Sequence, residues 1–352
     1  MQIFHNHRHH LHQGRQEMYR GRLVPCHEVP DRLDHVIAEL TRRPVGPITA
    51  PQEPADLDAV LAQVHSPRYL HFIAHAWDEW VAIDPAHAEL DALPSVWPGR
   101  AFRTDVLPHN FAARMGLFSF DAGTPLTAGS WAAARGGAAC AVAAAREVAA
   151  ATGSQPARAF VLTRPPGHHA GADFFGGYCF LNNAALAAQA MRDAGLQRVA
   201  VLDVDYHHGN GTQSIFYERA DVLTVSIHGD PLTEYPFFLG HADERGAGAG
   251  EGFNLNLPLP RGTGFAAWRS ALAQGIAAVQ AFGAQALVVA LGVDTFEGDP
   301  ISGFGLKSAD YVQVGRDLAA LALPTVIVFE GGYAVAEVGV NVVNVLEGFS
   351  GG

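Results

Sequence analysis

Residues 199–211 read VAVLDVDYHHGNG: a run of apolar, largely β-branched residues that ends in two aspartates, two histidines and two glycines. An apolar run without polar alternation suits a strand covered on both faces, as in a parallel sheet packed between helices. Carboxylates appear where the run ends, and in open parallel sheets the carboxyl ends of strands are where sites are built. Comparable runs at 159–162, 222–228, 286–294 and 325–330 join 199–205 as predicted strands. Ala-rich amphipathic stretches between them predict helices over 182–194, 265–282 and 308–321, the first two followed at once by Gly195 and Gly283, which can stop them. The expected fold is a single-domain α/β structure with a multi-stranded, mostly parallel sheet and helices on both faces.

The first hundred residues are less regular, although 31–41 and 68–81 have helical spacing. Residues 83–130 carry Pro, Gly and aromatics without sustained periodicity and read as a long loop that shapes a ligand entrance or a subunit contact. No repeat and no flexible linker divides the chain, so residues 1–352 read as one domain.

Composition narrows the function. The formal charge of −12, from 23 Lys and Arg against 35 Asp and Glu, disfavours nucleic acid and suits a cationic ligand or simply solubility. Three scattered cysteines, Cys26, Cys140 and Cys179, supply neither a disulfide framework nor a Cys-rich zinc module, and a reducing, cytoplasmic setting is expected. The N-terminus has no apolar core of signal-peptide length, and the Ala-rich stretch 138–151 is broken by Arg146 and Glu147, so no membrane association is expected.

The strand ends hold the chemistry. If the extended conformation persists past Asp203, alternation sends Asp203, Asp205 and His207 to one side, and Asp294 ends another strand. Singly, such residues read as caps and turns at βα junctions. Together, two carboxylates and one imidazole at the ends of apolar strands suit zinc or iron(II), with positions left for water and a substrate carbonyl. His208 is expected to pack or hydrogen-bond behind the site. His168 and His169 follow two prolines and a glycine, a turn that can aim paired imidazoles into a pocket for proton transfer. Tyr333 follows two glycines and can present a phenol to a substrate oxygen, or be a turn tyrosine. The histidine-rich start, His5, His7, His9, His10 and His12, reads as a strand exit and surface loop, because the metal set is complete without it.

With RPPGHHAGADFFGGYCFLNNAA (164–185), DVDYHHGNGTQSIFY (203–217), LGVDTFEGDPISGFGL (291–306) and EGGY (330–333) in this order, the chain resembles the histone deacetylase-like amidohydrolases of the arginase/deacetylase fold. LVPCHEVPDRLDHV (23–36) and HSPRYLHF (65–72) extend the likeness toward the N-terminus at lower specificity. Within that group it resembles the bacterial acetylpolyamine amidohydrolases, through YCFLNNAA, Asn210, GVDTFEGDPIS and SFDAGTPLTAGSW (119–131). The resemblance implies a metal held by Asp205, His207 and Asp294, with His169 as general base, His168 as its electrostatic partner and Tyr333 polarising the acetyl carbonyl. It also implies that Asp203 orients His168 and that Asn210 accepts from His169 where many protein deacetylases use Asp; a neutral partner stabilises imidazolium less than a carboxylate. A structural potassium is implied at the Asp203 and Ser226 side chains and the main-chain oxygens of Asp205, His207 and Ile227. Gly177, Tyr178 and Tyr235 fall where the family lines its substrate tunnel, and core packing is the competing reading of the two tyrosines. A homodimer is implied as well.

One departure concerns the long loop. The best-known acetylpolyamine enzymes bring glutamates from it to the tunnel mouth, whereas this chain offers Asp105 and Asp121 between Phe102 and Arg146. Asp121 is the candidate for holding a distal ammonium, against the plainer reading of a solvated loop carboxylate. The expected activity is hydrolysis of the acetamide of a small cationic acetylated amine such as acetylputrescine or acetylcadaverine, releasing acetate and free amine. Acetyl-lysine protein deacetylation is the nearest alternative, and a non-catalytic binding protein on the same fold is a third reading.

Overall fold

The apolar runs lie side by side in the computed structural model, which describes residues 1–153 and 155–351. Among the described residues the strands are β1 (Gln2–His5), β2 (Gln16–Tyr19), β3 (Arg22–Pro25), β4 (Ile48–Thr49), β5 (Arg158–Leu162), β6 (Val199–Asp203), β7 (Val222–Gly229), β8 (Asn254–Leu259), β9 (Ala286–Leu291) and β10 (Thr325–Phe329). Eight of them form one parallel sheet in the order β4–β1–β5–β10–β9–β6–β7–β8, while β2 and β3 form a separate antiparallel hairpin.

The helices are α1 (Asp31–Arg42), α2 (Leu57–Val64), α3 (Pro67–Ile83), α4 (Phe111–Leu117), α5 (Ser130–Ala150), α6 (Asn183–Asp193), α7 (Asn210–Phe216), α8 (Phe265–Phe282), α9 (Asp310–Ala319) and α10 (Val335–Ser350). Alternate strand residues feed two cores. Val161, Val201, Val288 and Val328 pack with α2, α3, α5 and α6, whereas Leu162, Leu202, Val289 and Ile327 pack with α1, α8, α9 and α10. Each such side chain, fully buried, contributes about 1.5–3 kcal/mol. Burial on both faces explains why these strands have no polar alternation.

The helix ends follow local chemistry. Asn182 caps α6 by accepting from the Ala185 N–H at 2.9 Å, and Gly283 stops α8 in the left-handed region at φ 67°. The expected bounds of α8 match, and those of α6 and α9 differ by one or two residues at each end. β6 stops at Asp203 rather than running to residue 205, because the donors beyond Val204 turn to carboxylates. Asp205 N–H donates to Asp203 Oδ1, Tyr206 N–H to Asp294 Oδ1 and His207 N–H to Asp205 Oδ1, at 3.1, 2.8 and 2.9 Å. β9 likewise ends at Leu291, before the site begins.

The histidine-rich start departs from a plain surface loop. His5 ends β1, but His9 and His12 are buried, and their carbonyls accept from the Arg164 guanidinium at 2.5 and 2.7 Å. Burial and the nearby Arg164 charge lower His9 to about 4 and His12 to about 3, so both serve as neutral framework. No helix among the described residues is long and apolar enough to cross a membrane.

Candidate active site

Asp205 and His207 leave the end of β6, and Asp294 follows the end of β9, its neighbour in the sheet. Their ligand atoms lie within 4.8 Å of one another, and all three residues are buried. His207 Nδ1 stands 2.9 Å from Asp294 Oδ2 and 3.4 Å from Asp205 Oδ1. Burial and then the neighbouring Asp205 charge push Asp294 up to about 8. Burial disfavours the His207 imidazolium, but bonds to the two carboxylates outweigh it and lift this group to about 10. Two carboxylates crowded in low dielectric with a proton between them are what a divalent cation would replace, so these residues fit a metal. The backbone packs closely against both carboxylates: a Cβ on Gly331 would lie 2.5 Å from Asp205 Oδ2 and 2.7 Å from Asp294 Oδ2.

The Pro-Pro-Gly turn after β5 brings His168 and His169 beside this group, ring centroids 4.0 Å apart. His168 Nδ1 is 2.9 Å from Asp203 Oδ2, and His169 Nδ1 is 2.6 Å from Asn210 Oδ1. The two imidazoles diverge electrically. Burial opposes charge on His168, yet Asp203 and Asp205 lift it to about 10. Burial drives His169 well below its ordinary value, and the charges of His168 and His207 add to this. With its Nδ1–H committed to the Asn210 carbonyl oxygen, a neutral His169 keeps its lone pair on Nε2.

The segment after β10 ties these parts together. Glu330 Oε2 accepts from the Gly167 and His168 N–H groups at 2.6 and 3.1 Å, and burial raises this carboxyl to about 7. The Gly331 N–H donates to Asp205 Oδ2 at 2.8 Å, and the Tyr333 N–H to Asp299 Oδ2 at 2.7 Å. From the first turn of α1, Arg32 donates to the carbonyls of Gly332 and Glu330 at 2.7 and 2.5 Å, its guanidinium 4.7 Å from the Tyr333 ring centroid. Glu28 holds Arg32 and Arg164 from below. Sequence reading missed Glu330, Asp299, Arg32 and Glu28 as site residues. Glu330 and Asp299 stand inside the motifs already singled out, and Glu28 and Arg32 inside the 23–36 stretch, where nothing local shows that they reach the EGGY segment and Arg164.

His169, His207 and Tyr333 share one cavity of about 440 Å³, with Tyr178, Tyr235 and Phe237 in its walls. Gly177 sits at φ 54° with the His169 ring where a Cβ would go. Asp121 is in the wall, but it is not a free loop carboxylate. It accepts from Gly177 N–H and Tyr235 Oη at 2.7 Å each and from Gly123 N–H and Thr124 Oγ1 at 3.1 Å each. Asp105 is exposed and paired with Arg103. The other acids of the cavity come from elsewhere: Glu17 on β2, which accepts from Tyr178 Oη at 2.9 Å, and Glu234, paired with Arg261 at 3.1 Å. Neither was foreseen, because the hairpin and the 230–240 loop reach the cavity only through tertiary folding. Behind the metal group, His208 Nε2 is 3.0 Å from Gln213 Oε1 and its ring lies 4.5 Å from that of His228. Ser226 pairs in register with Asp203 across β6 and β7, and Ile227 follows it.

A parallel α/β sheet with an Asp–His–Asp group and a paired-histidine turn at its strand ends defines a hydrolase of the deacetylase class. The histone deacetylase domain family matches residues 26–349, and the chain belongs to it. It is 50% identical over 343 residues to acetylpolyamine amidohydrolase 2 of Pseudomonas aeruginosa, covering 97% of each chain. It is 46% identical over 352 residues to the acetylpolyamine amidohydrolase of Mycoplana ramosa, covering 100% of both. The crystal structure of an acetylpolyamine aminohydrolase from Burkholderia pseudomallei superposes with a TM-score of 0.89 at 37% identity, over 99% of this chain and 98% of that one.

Proposed function

We propose that the protein hydrolyses the acetamide of acetylated polyamines, with a metal ion held by Asp205, His207 and Asp294. The observation that carries this reading is one cavity whose lining includes His169, His207 and Tyr333 together with acidic walls from Glu17, Asp121 and Glu234. Zinc or iron(II) held there would supply Lewis-acid polarisation of the acetyl carbonyl and acidify water. His169, neutral and with Nε2 free, takes the proton of the attacking water and returns it to the departing amine. His168, held by Asp203, keeps a positive charge beside the reacting centre. Tyr333 stays protonated, since burial pushes its phenol well above the usual range, and donates to the acetyl oxygen as negative charge develops there. Products are acetate and free amine.

Gly177, Tyr178 and Tyr235 form the slot for a methylene chain, and the carboxylates beyond them favour a cationic tail. Asp121 acts by bracing Gly177 and Tyr235 rather than by meeting the ammonium directly. A structural potassium would use the Asp203 and Ser226 side chains with the main-chain oxygens of Asp205, His207 and Ile227; the in-register pairing of Asp203 with Ser226 supports this reading. The domain reading is a single catalytic unit over 1–352, its 83–130 loop carrying α4 and bordering the entrance through Asp121, Ala122 and Gly123. That loop exposes Leu90, Val96, Trp97, Phe102, Val106 and Leu107, which supports a homodimer contact there. Free Cys26, Cys140 and Cys179 support a reducing, cytoplasmic location.

The test is a steady-state comparison on metal-replete enzyme of acetylputrescine, acetylcadaverine and an acetyl-lysine peptide. The expected result is a higher kcat/KM for the acetylated diamines. Preference for the peptide would replace the polyamine assignment with protein deacetylation.

A further inference from the structure

Among the described residues, four that are not glycine adopt φ in the left-handed region, and three of them line the cavity: Arg20 at 49°, Tyr178 at 68° and Phe237 at 68°. L side chains rarely hold that conformation, and such strain gathers at sites where a particular side chain is needed. Tyr178 and Phe237 are aromatic wall. Arg20 is different. It is the first residue of the two-residue turn between β2 and β3, with Gly21 at φ 79° beside it, a turn that ordinarily takes Asn or Asp followed by Gly. Asn or Gly at position 20 would form the turn with less strain, so local folding does not explain an arginine here.

The charge of Arg20 stands apart from the rest of the lining. Glu17 bonds Tyr178 and His27, Asp121 accepts four hydrogen bonds, and Glu234 is paired with Arg261. Arg20 enters no ion pair among the described residues; its guanidinium lies 5.1 Å from the ring centroid of its neighbour Tyr19 and is exposed at the rim. Glu17 lies inside β2 and Arg20 in the turn that follows it, so at most about 10 Å of backbone separates them. Met18 N–H donates to the Ala122 carbonyl at 3.2 Å, which fixes the hairpin beside the turn carrying Asp121. The wall therefore runs from buried carboxylate to rim cation.

We propose that Arg20 is a specificity-determining residue that reads charge at the far end of the substrate. Resting on the acetylpolyamine reading above, it narrows the substrate class to short monoacetylated diamines, whose one ammonium stays with the acids. Longer polyamines bring a further ammonium against the guanidinium. Like charges at this rim raise KM for them and leave the chemistry at His169 and Tyr333 untouched.

The experiment measures kcat/KM for acetylputrescine and acetylspermine with metal-replete full-length protein: wild type, Arg20→Gly and Arg20→Glu. Glycine suits this turn position, so folding is preserved. The ratio of acetylspermine to acetylputrescine is expected to rise about three- to fivefold in Arg20→Gly and about tenfold in Arg20→Glu, through KM rather than kcat. Between about 0.1 M and about 1 M salt, as the Debye length falls from about 10 to about 3 Å, these differences contract. A ratio within twofold of wild type in both variants overturns the proposal. If wild type cleaves an acetyl-lysine peptide but neither polyamine, the substrate reading itself falls and the proposal falls with it.

Discussion

At His169 the partner is an amide rather than a carboxylate: Asn210 Oδ1 lies 2.6 Å from Nδ1 and offers the imidazolium a dipole but no full charge. Burial and two cationic neighbours already hold this histidine well below its ordinary value. Replacing Asn210 by Asp adds a negative charge that favours the protonated form, so the folded-state pKa rises. The base works only when neutral; activity is therefore lost as pH falls through that pKa, and the acidic limb of kcat/KM for Asn210→Asp is expected about 1–2 units higher than in wild type. A pH–rate profile checks this, and an unmoved limb would remove His169 as the base. For Tyr333→Phe, loss of the donor to the developing oxyanion is expected to lower kcat about 10²–10³-fold with folding intact, measured by steady-state kinetics and circular dichroism. The residues at the heart of the site were legible because polar groups interrupt apolar runs at Asp203, Asp205 and Asp294, where burial without a partner is costly. Glu17, Arg20 and Glu234 were not, since an acid or base in a surface-like segment gives no sign of which cavity it will border.

At the scale of elements, α1 and the segment after β10 act as one unit. Arg32 grips two carbonyls of the EGGY segment, and Glu28 neutralises both Arg32 and Arg164, all three side chains being buried. Burial would raise the Glu28 carboxyl, but Arg164 and then Arg32 outweigh it and hold it at about 2 against an ordinary 4.5. A depressed folded pKa gives stability that is complete above about pH 4.5 and lost as pH falls through about 2. Glu28→Gln leaves two buried guanidinium groups without their carboxylate and is expected to destabilise the fold by about 3–5 kcal/mol at pH 7. Denaturant unfolding of both proteins measures the difference, which should shrink toward pH 2. The elements themselves were unevenly legible. β5, β6, β7, β9 and β10 announce themselves as apolar runs because both faces are covered, and α8 because Gly283 ends a clear amphipathic stretch. β1 sits among histidines, β4 is two residues long, and the β2–β3 hairpin has too few residues for alternation to stand out. The pairing of β1 is decided by partners far along the chain, Ile3 against Phe160 and Ile48.

For the whole molecule, the Asp–His–Asp group draws its members from just beyond the ends of β6 and β9 and is bonded by Gly331 after β10, so it exists only when the centre of the sheet is assembled. A cation that binds the folded chain and not the unfolded one stabilises by about 4 kcal/mol at a free concentration of about 1,000 times its Kd. Removing it with a chelator is expected to lower Tm by several degrees and to abolish turnover, with both restored by added zinc. Protons enter the same equilibrium. Burial and the Asp205 charge raise Asp294, and the two carboxylates raise His207, so this group holds protons that ligation must displace. Metal affinity should therefore fall as pH drops, by about ten- to a hundredfold per unit below pH 8 for one or two protons released. Calorimetric titration of the chelated protein with zinc, in buffers of different ionisation enthalpy, counts those protons directly. Release near zero, with affinity unchanged between pH 6 and pH 8, would mean that the ion binds somewhere other than between these two residues.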